Sequence, residues 1–514
     1  MRYPLRGIAT VTLMVAGAAT VLAAQVVSTR ASARVEGTDR PINVGAGDLG
    51  DIAAHNSPTL VRNPRDAQNL VATSRIDSPD FSCAVHVAFD GGRRWMRTPV
   101  PIPLGGGRTC YAADAAFGPD GTLHVSYVTL QGVGNRPHAV WLASSKDGGR
   151  TLRQPHRISG PLAFQVRIAA DPTASRRLYA TWVQAREVGL LKFTGPGNPV
   201  LASRSDDRGV TWGRPVRVNS PSRGRVLAPS AAVGSNGQLY VLFLDAGEDR
   251  LDYEGGHRGD GGAPYQGRFS LVLARSLDRG ASWQESVVDD RVVPTRRFIA
   301  FLPPFPSLAV AGDGGRLYVA FEDARRGTPD VYVWSLAPGS ASWSAPTRVN
   351  DTPLRDGTWQ YLPELAVAPR GRVDVVYYDR RASGRSNLRN EVSLQSSDDG
   401  GATFGPRLNL TSQSFDARVG AGGERGLPDL GSRLGLASDD RSAIAAWTDT
   451  RSGTDASHKQ DLLSARVVVD GPDDGGMLRD GLLAAGIALL LAGCCLAVGL
   501  ARARRALHSH EKQL

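Results

Sequence analysis

The sequence predicts an all-β chain wound into a β-propeller, and three observations carry that prediction. The first is a turn motif present in five near-copies: Ala88-Phe-Asp90-Gly-Gly92-Arg-Arg-Trp95, Ser145-Lys-Asp147-Gly-Gly149-Arg-Thr151-Leu152, Ser205-Asp-Asp207-Arg-Gly209-Val-Thr211-Trp212, Ser276-Leu-Asp278-Arg-Gly280-Ala-Ser282-Trp283 and Ser397-Asp-Asp399-Gly-Gly401-Ala-Thr403-Phe404. The second is their spacing. The motif aspartates stand 57, 60 and 71 residues apart, and then 121. A degenerate copy at 335–343, which has lost its Asp, splits that last gap. The third is a strand–turn–strand unit ahead of each turn, clearest at 306–321 and 363–377 and matched near Pro58, Ala113, Val166, Pro229 and Ser432. Regular periods of this size, each holding several short strands, are the signature of a propeller.

Each part of the motif has a mechanical task. Asp90, Asp147, Asp207, Asp278 and Asp399 cap the backbone N–H groups of a tight turn, and the Gly supplies the positive φ that the turn needs. Ser and Thr add local hydrogen bonds, and the closing Trp or Phe offers an apolar face to the neighbouring sheet. These five aspartates are therefore structural. The 59 glycines and 32 prolines of the 514 residues fit a protein of many short strands and turns.

Seven strand units stand against six turns. Arg40-Pro-Ile-Asn-Val44 resembles the strands after the turns, Pro215-Val-Arg-Val-Asn219 and Pro346-Thr-Arg-Val-Asn350, and is expected to supply the last strand of the final blade. Such closure removes an exposed sheet edge. Seven blades is the favoured count; six follows if the first or last unit is an embellishment.

The turns resemble the Asp-box (BNR) repeats of the sialidase-like β-propellers, over roughly residues 41–470. That superfamily is functionally diverse, so the resemblance implies a fold and leaves the activity open. For a sialidase it implies three arginines clamping a carboxylate, an Arg-Ile-Pro signature, an Asp acid/base and a Tyr nucleophile paired with a Glu. No Arg-Ile-Pro occurs, and Arg167-Ile168-Ala169 in the third unit comes nearest.

Innermost strands of a propeller line its central channel, and aligning the seven units places one column at their start. It reads Thr59, Asp114, Arg167, Ser230, Ser307, Glu364 and Arg433. Two carboxylates, two guanidiniums and three hydroxyls converging on one axis suit a polar or acidic ligand, with Arg167 and Arg433 for bidentate recognition and Ser230 and Ser307 beside them. The same groups equally well satisfy one another and channel water. On the enzymatic reading, Asp114 is the acid/base and Tyr361 with Glu364 the nucleophile pair, with Tyr111 as a second tyrosine. A third arginine would come from Arg62, Arg225 or Arg297. Two readings thus stand beside each other: a module binding a glycan or protein outside the cell, and an exo-acting glycoside hydrolase. A scaffold without a small ligand is the third.

The ends place the propeller. Arg2 and Arg6 precede an apolar stretch from Ile8 to about Val27, and Ala31-Ser-Ala33 is a cleavage-type sequence, so 1–33 reads as a signal peptide or uncleaved anchor. Residues 481–501 form an apolar segment long enough to span a bilayer, joined by a Gly-rich linker at 471–480. Arg502, Arg504 and Arg505 follow, so the tail at 502–514 is expected in the cytoplasm and the propeller outside, at the cell membrane. Cys83 and Cys110, in adjacent units of the exported part, are expected to pair, with two buried thiols as the alternative. Cys494 and Cys495 lie in the span.

A net charge of +10, carried almost wholly by Arg, raises the question of a nucleic-acid or anionic-glycan surface. No Arg cluster interleaves with aromatics, and nucleic acid is not expected as a partner. No transition-metal or nucleotide motif occurs, so no cofactor is expected. The exception is the insertion at 245–268, whose Asp245, Glu248, Asp249, Asp252, Glu254 and Asp260 offer oxygen ligands for Ca²⁺, although EF-hand spacing is absent. A solvated loop is the alternative. Asp323/Arg325, Asp379/Arg381 and Asp449/Arg451 recur at one place in three units, as hairpin-stabilising ion pairs do and catalytic groups need not.

Overall fold

A computed structural model describes residues 33–43, residues 52–469 apart from 106, 108, 133–134, 188–194, 250–264, 296–303, 313–314 and 424–428, and residues 484–505 apart from 493 and 503–504. Residues 35–468 form one compact unit. Seven antiparallel sheets follow one another along it, six of them opening on an inner strand and stepping outwards. Their inner strands are His55–Asn63, Cys110–Phe117, Ala163–Ala170, Val226–Val233, Ser307–Val310, Gln360–Val367 and Gly435–Ser438. The count is seven blades, and the six-bladed alternative falls.

The seventh blade is closed from the other end of the chain. Ala33–Val35 is its outermost strand, and Arg40–Pro41 also pairs with Asp461–Val469, Arg40 lying opposite Ser464. Only the first two residues of the expected 40–44 strand lie in the ladder, and the strand before it went unread. The propeller therefore begins before residue 41. The separate helix Ala484–Arg502 is long and apolar enough to cross a membrane; the 1–32 segment and the 471–480 linker lie outside the described residues.

The motif turns work as capped hairpins. In the four copies that begin with Ser, its hydroxyl donates to the motif Asp at 2.6–2.8 Å, and the same carboxylate accepts the N–H of the following Thr or Ser at 2.8–3.0 Å. Hydrogen bonds from Ser282 and Ser276 hold the Asp278 carboxyl at about 2. Asp90, which follows Ala88, has only the N–H groups of Arg93 and Arg94. The three Asp-x-Arg elements are ion pairs at 2.5–2.7 Å.

Strands that alternate in direction sort the connections onto two faces. Turns between first and second strands share a face with the motif turns between third and fourth strands; the longer connections lie on the opposite face. We call these the turn face and the loop face. Between blades the packing is apolar: Val71, Val85 and Val87 of the first meet Val125 and Tyr127 of the second. A disulfide between Cys83 and Cys110, Cα atoms 5.3 Å apart, ties the same two blades.

Five inner strands share an irregularity. Each slips register just ahead of the column residue: between Asn56 and Thr59, Tyr111 and Asp114, Phe164 and Arg167, Leu227 and Ser230, and Tyr361 and Glu364. In each, the residue two before the column is left-handed: Ser57, Ala112, Gln165, Ala228 and Leu362, at φ 49–54°. Gly431 holds the same place before Arg433 at φ 91°, and a Cβ there would meet the Ser57 backbone nitrogen at 2.4 Å. Only glycine lets the last blade approach the first this closely. A bulge of this kind re-aims side chains and frees backbone N–H groups from the ladder.

Candidate functional site: the polar ring and its cavity

The free edge of each inner strand explains the polar column. Inner strands of neighbouring blades share no ladder, so their N–H and C=O groups near the axis need other partners. Asp114 Oδ2 accepts the N–H of Ile168 at 2.9 Å, and Ser307 Oγ accepts that of Leu365 at 3.0 Å. Ser230 Oγ donates to the Pro306 carbonyl at 2.7 Å. Each bond staples one inner strand to the next. The Ser230 and Ser307 hydroxyls, read from sequence as ligand contacts, are committed to this belt.

The charged members form one cluster. Thr59 donates to Asp114 Oδ1 at 2.7 Å, and Arg433 donates to Thr59 at 3.0 Å and to the Ala113 carbonyl at 3.0 Å. Arg167 Nε stands 3.4 Å from Asp114 Oδ2. The Phe305 ring lies beneath both guanidiniums, its centroid 5.5 Å from Arg167 and 5.7 Å from Arg433. Burial lowers the Arg433 pKa to about 9, with Arg167 adding to the effect. Burial raises Glu364 to about 7 against the pull of Arg167 and a hydrogen bond from Ser307. Glu364 is thus a carboxyl that changes protonation near neutrality.

Asp114 is 1% exposed and both its oxygens are engaged. Arg167 differs: its Nη1 has no hydrogen-bond partner. Arg167 is part of the lining of a cavity of about 530 Å³, a lining that also includes Thr59 and Glu364 at the polar end, with Val61, Ala116, Phe117 and Ala169 along the walls. These wall residues belong to the later halves of the inner strands, so the cavity extends towards the turn face. It is an apolar-walled recess ending on a guanidinium and a titrating carboxyl.

The other residues singled out from sequence go elsewhere. Tyr361 is fully buried; its hydroxyl donates to Asn390 at 2.7 Å and accepts from Arg380 at 3.1 Å. Glu364 instead faces Ser307, Arg167 and Arg433, so the expected Tyr361–Glu364 pair does not form. The bulge between them and the Arg380–Asn390 pair waiting on its own blade explain the separation. Tyr111 donates to Asp77, beside the buried Arg75–Asp429 pair. Arg62 lines the cavity but pairs with Asp439, and Arg225 donates to the Asp249 carbonyl. Arg297 and residues 250–264 lie outside the described residues. Asp245 is paired with Arg223, and among the described residues no acidic cluster could hold a metal ion.

Sequence reasoning missed two residues. Phe305 occupies the place of the left-handed residue in the fifth blade, between two prolines. Glu322 is 4% exposed, accepts the Leu362 N–H at 2.7 Å and the Thr295 hydroxyl at 2.9 Å, and burial raises it to about 7.

The chain is a seven-bladed β-propeller with a ring of polar side chains at its axis. Solved structures similar to this chain include a protein of unknown function from Dyadobacter fermentans, 13% identical over 85% of this chain and 99% of that one, with a TM-score of 0.46. A Hadza microbial sialidase is 15% identical over 78% and 74%, at 0.42. An ulvan lyase of polysaccharide lyase family 25 is 11% identical over 82% and 96%, at 0.44. These are likenesses of fold. No family model and no curated protein matches the chain.

Proposed function

We propose that this chain is a membrane-anchored, extracytoplasmic binding module whose central cavity takes the acidic group of a carboxylated glycan. The observation that carries the reading is Arg167 in the lining of the cavity, beside Glu364, with its buried Nη1 lacking a hydrogen-bond partner. A ligand carboxylate accepts from the guanidinium, protonated Glu364 and Thr59 meet neighbouring hydroxyls, and Phe117 offers a face to the sugar ring. The Cys83–Cys110 disulfide supports an oxidising compartment, and the helix Ala484–Arg502 supplies the anchor.

The test is calorimetric titration of full-length protein in detergent with glucuronic acid and N-acetylneuraminic acid, followed by a glycan array. Saturable binding that Arg167→Ala removes is the expected result. No binding to either acid or to the array by folded protein overturns it. One observation favours hydrolysis as a second reading: Glu364, at about 7, is suited to general acid work. Turnover of a fluorogenic sialoside, lost in Glu364→Gln, decides for that reading.

A further inference from the structure

A second cleft lies between the third and fourth blades, on the turn face and independent of the central cavity. Its volume is about 420 Å³, and Tyr179, Arg204, Asp206, Asp207, Arg214 and Arg279 line it. Tyr179, part of that lining, is 1% exposed, and its buried hydroxyl has no hydrogen-bond partner. A buried hydroxyl left unpaired is uncommon and calls for a partner.

The neighbouring blade shows why this one is open. Tyr240 holds the equivalent place there, and its hydroxyl donates at 2.7 Å to Gln238, two residues earlier. The residue two before Tyr179 is Arg177, which has no acceptor atom to offer and is held by Asp171 and Asp206. The carboxylates at the cleft are occupied too. Asp207 is spent within its own motif turn, and Asp206 is shared by Arg177 and Arg204. Arg214 and Arg279 are exposed and point no charge at either. Arg279 adopts φ 62° where the corresponding residue of three other motif turns is glycine. Three guanidiniums and a buried donor without an acceptor describe a place for negative charge.

We propose that this cleft binds an oxyanion group, carboxylate, sulfate or phosphate, with Tyr179 Oη, Arg214 and Arg279 as donors and Arg204 closing its inner side. The test is calorimetric titration of the full chain in detergent with inorganic sulfate, inorganic phosphate and glucuronate, against chloride at matched ionic strength. Arg167→Ala is the background throughout, so that the central cavity does not contribute. At least one probe binds saturably above the chloride control, and its class identifies the group. Tyr179→Phe weakens that binding about fivefold to tenfold, and the exposed pair Arg214→Ala/Arg279→Ala weakens it by more than tenfold. Circular dichroism confirms that both variants fold. Absence of binding by all three probes, or binding equal in the Arg167→Ala parent and both variants made in it, overturns the proposal.

Discussion

Arg433 donates to the Thr59 hydroxyl at 3.0 Å, and so one member of the polar column in the seventh blade holds its counterpart in the first. Thr59 passes the contact on to Asp114, and Asp114 to the third blade through Ile168. The chemistry of the ring and the mechanics of closing the propeller use the same atoms.

Removing Arg433 therefore tests stability first. Arg433→Ala leaves the Thr59 oxygen without a donor, leaves the Ala113 carbonyl with the Thr73 hydroxyl alone, and takes positive charge from beside Asp114 and Glu364. A loss of about 3–5 kcal/mol is expected from the cost of breaking a buried charged network. Urea unfolding followed by tryptophan fluorescence measures it; a loss under 1 kcal/mol would show the ring to be dispensable for closure.

Glu322 sets a stability slope with pH. Its pKa rises from 4.5 in the unfolded chain to about 7 in the fold, so the folded state holds an extra proton between those values. The stability that Glu322 contributes is fully present below the unfolded value and is lost as pH rises through 7, by up to about 3 kcal/mol. Glu322→Gln cannot ionise, so between pH 5 and 8 it should decline less than wild type by most of that amount. Parallel curves for the two proteins would refute the assignment.

Ligand affinity has its own pH dependence. Below about 7 Glu364 is protonated and donates to the ligand; above it a second negative charge enters the recess. Binding of a carboxylated sugar should weaken about tenfold between pH 6 and 8. In Glu364→Gln the titration should be flat over that range.

Reduction separates the covalent tie from the packing. The Cys83–Cys110 bridge spans 27 residues and joins neighbouring blades, so its loss should cost about 2–4 kcal/mol. Thermal unfolding of the Cys83→Ser/Cys110→Ser protein, compared with wild type with and without reductant, checks the figure. Reductant should leave the variant unchanged.

The turn motifs are not equivalent. Asp147 caps with help from Ser145 and Thr151, and Asp147→Ala should lose about 1 kcal/mol. Asp90, with two backbone partners only, should lose less. Denaturation midpoints of the two variants give the order directly.

The repeat architecture was legible because each blade must solve the same turn with the same few side chains, and Asp147, Asp207, Asp278 and Asp399 do so alike. The column was legible for a related reason: its members alone are polar in otherwise apolar strands. The bulge ahead of it was not. Ser57, Ala112, Gln165, Ala228 and Leu362 share a backbone conformation but no chemistry, and a left-handed residue other than glycine leaves no mark on the sequence. That hidden irregularity carries Tyr361 to Asn390 and Glu364 to the axis. Glu322 was unreadable because its partner is the Leu362 N–H that the bulge releases, 40 residues downstream.

Closure of the seventh blade imposes an order on assembly. Ala33–Val35 and Arg40–Pro41 are among the earliest parts of the propeller to be synthesised, yet the strand they join, Asp461–Val469, is made last. Six blades can form while the chain grows; the ring stays open until more than four hundred residues separate the two halves of its final sheet. During that interval the opening segment carries strand edges that have no partner, and the final sheet completes only when Asp461–Val469 arrives.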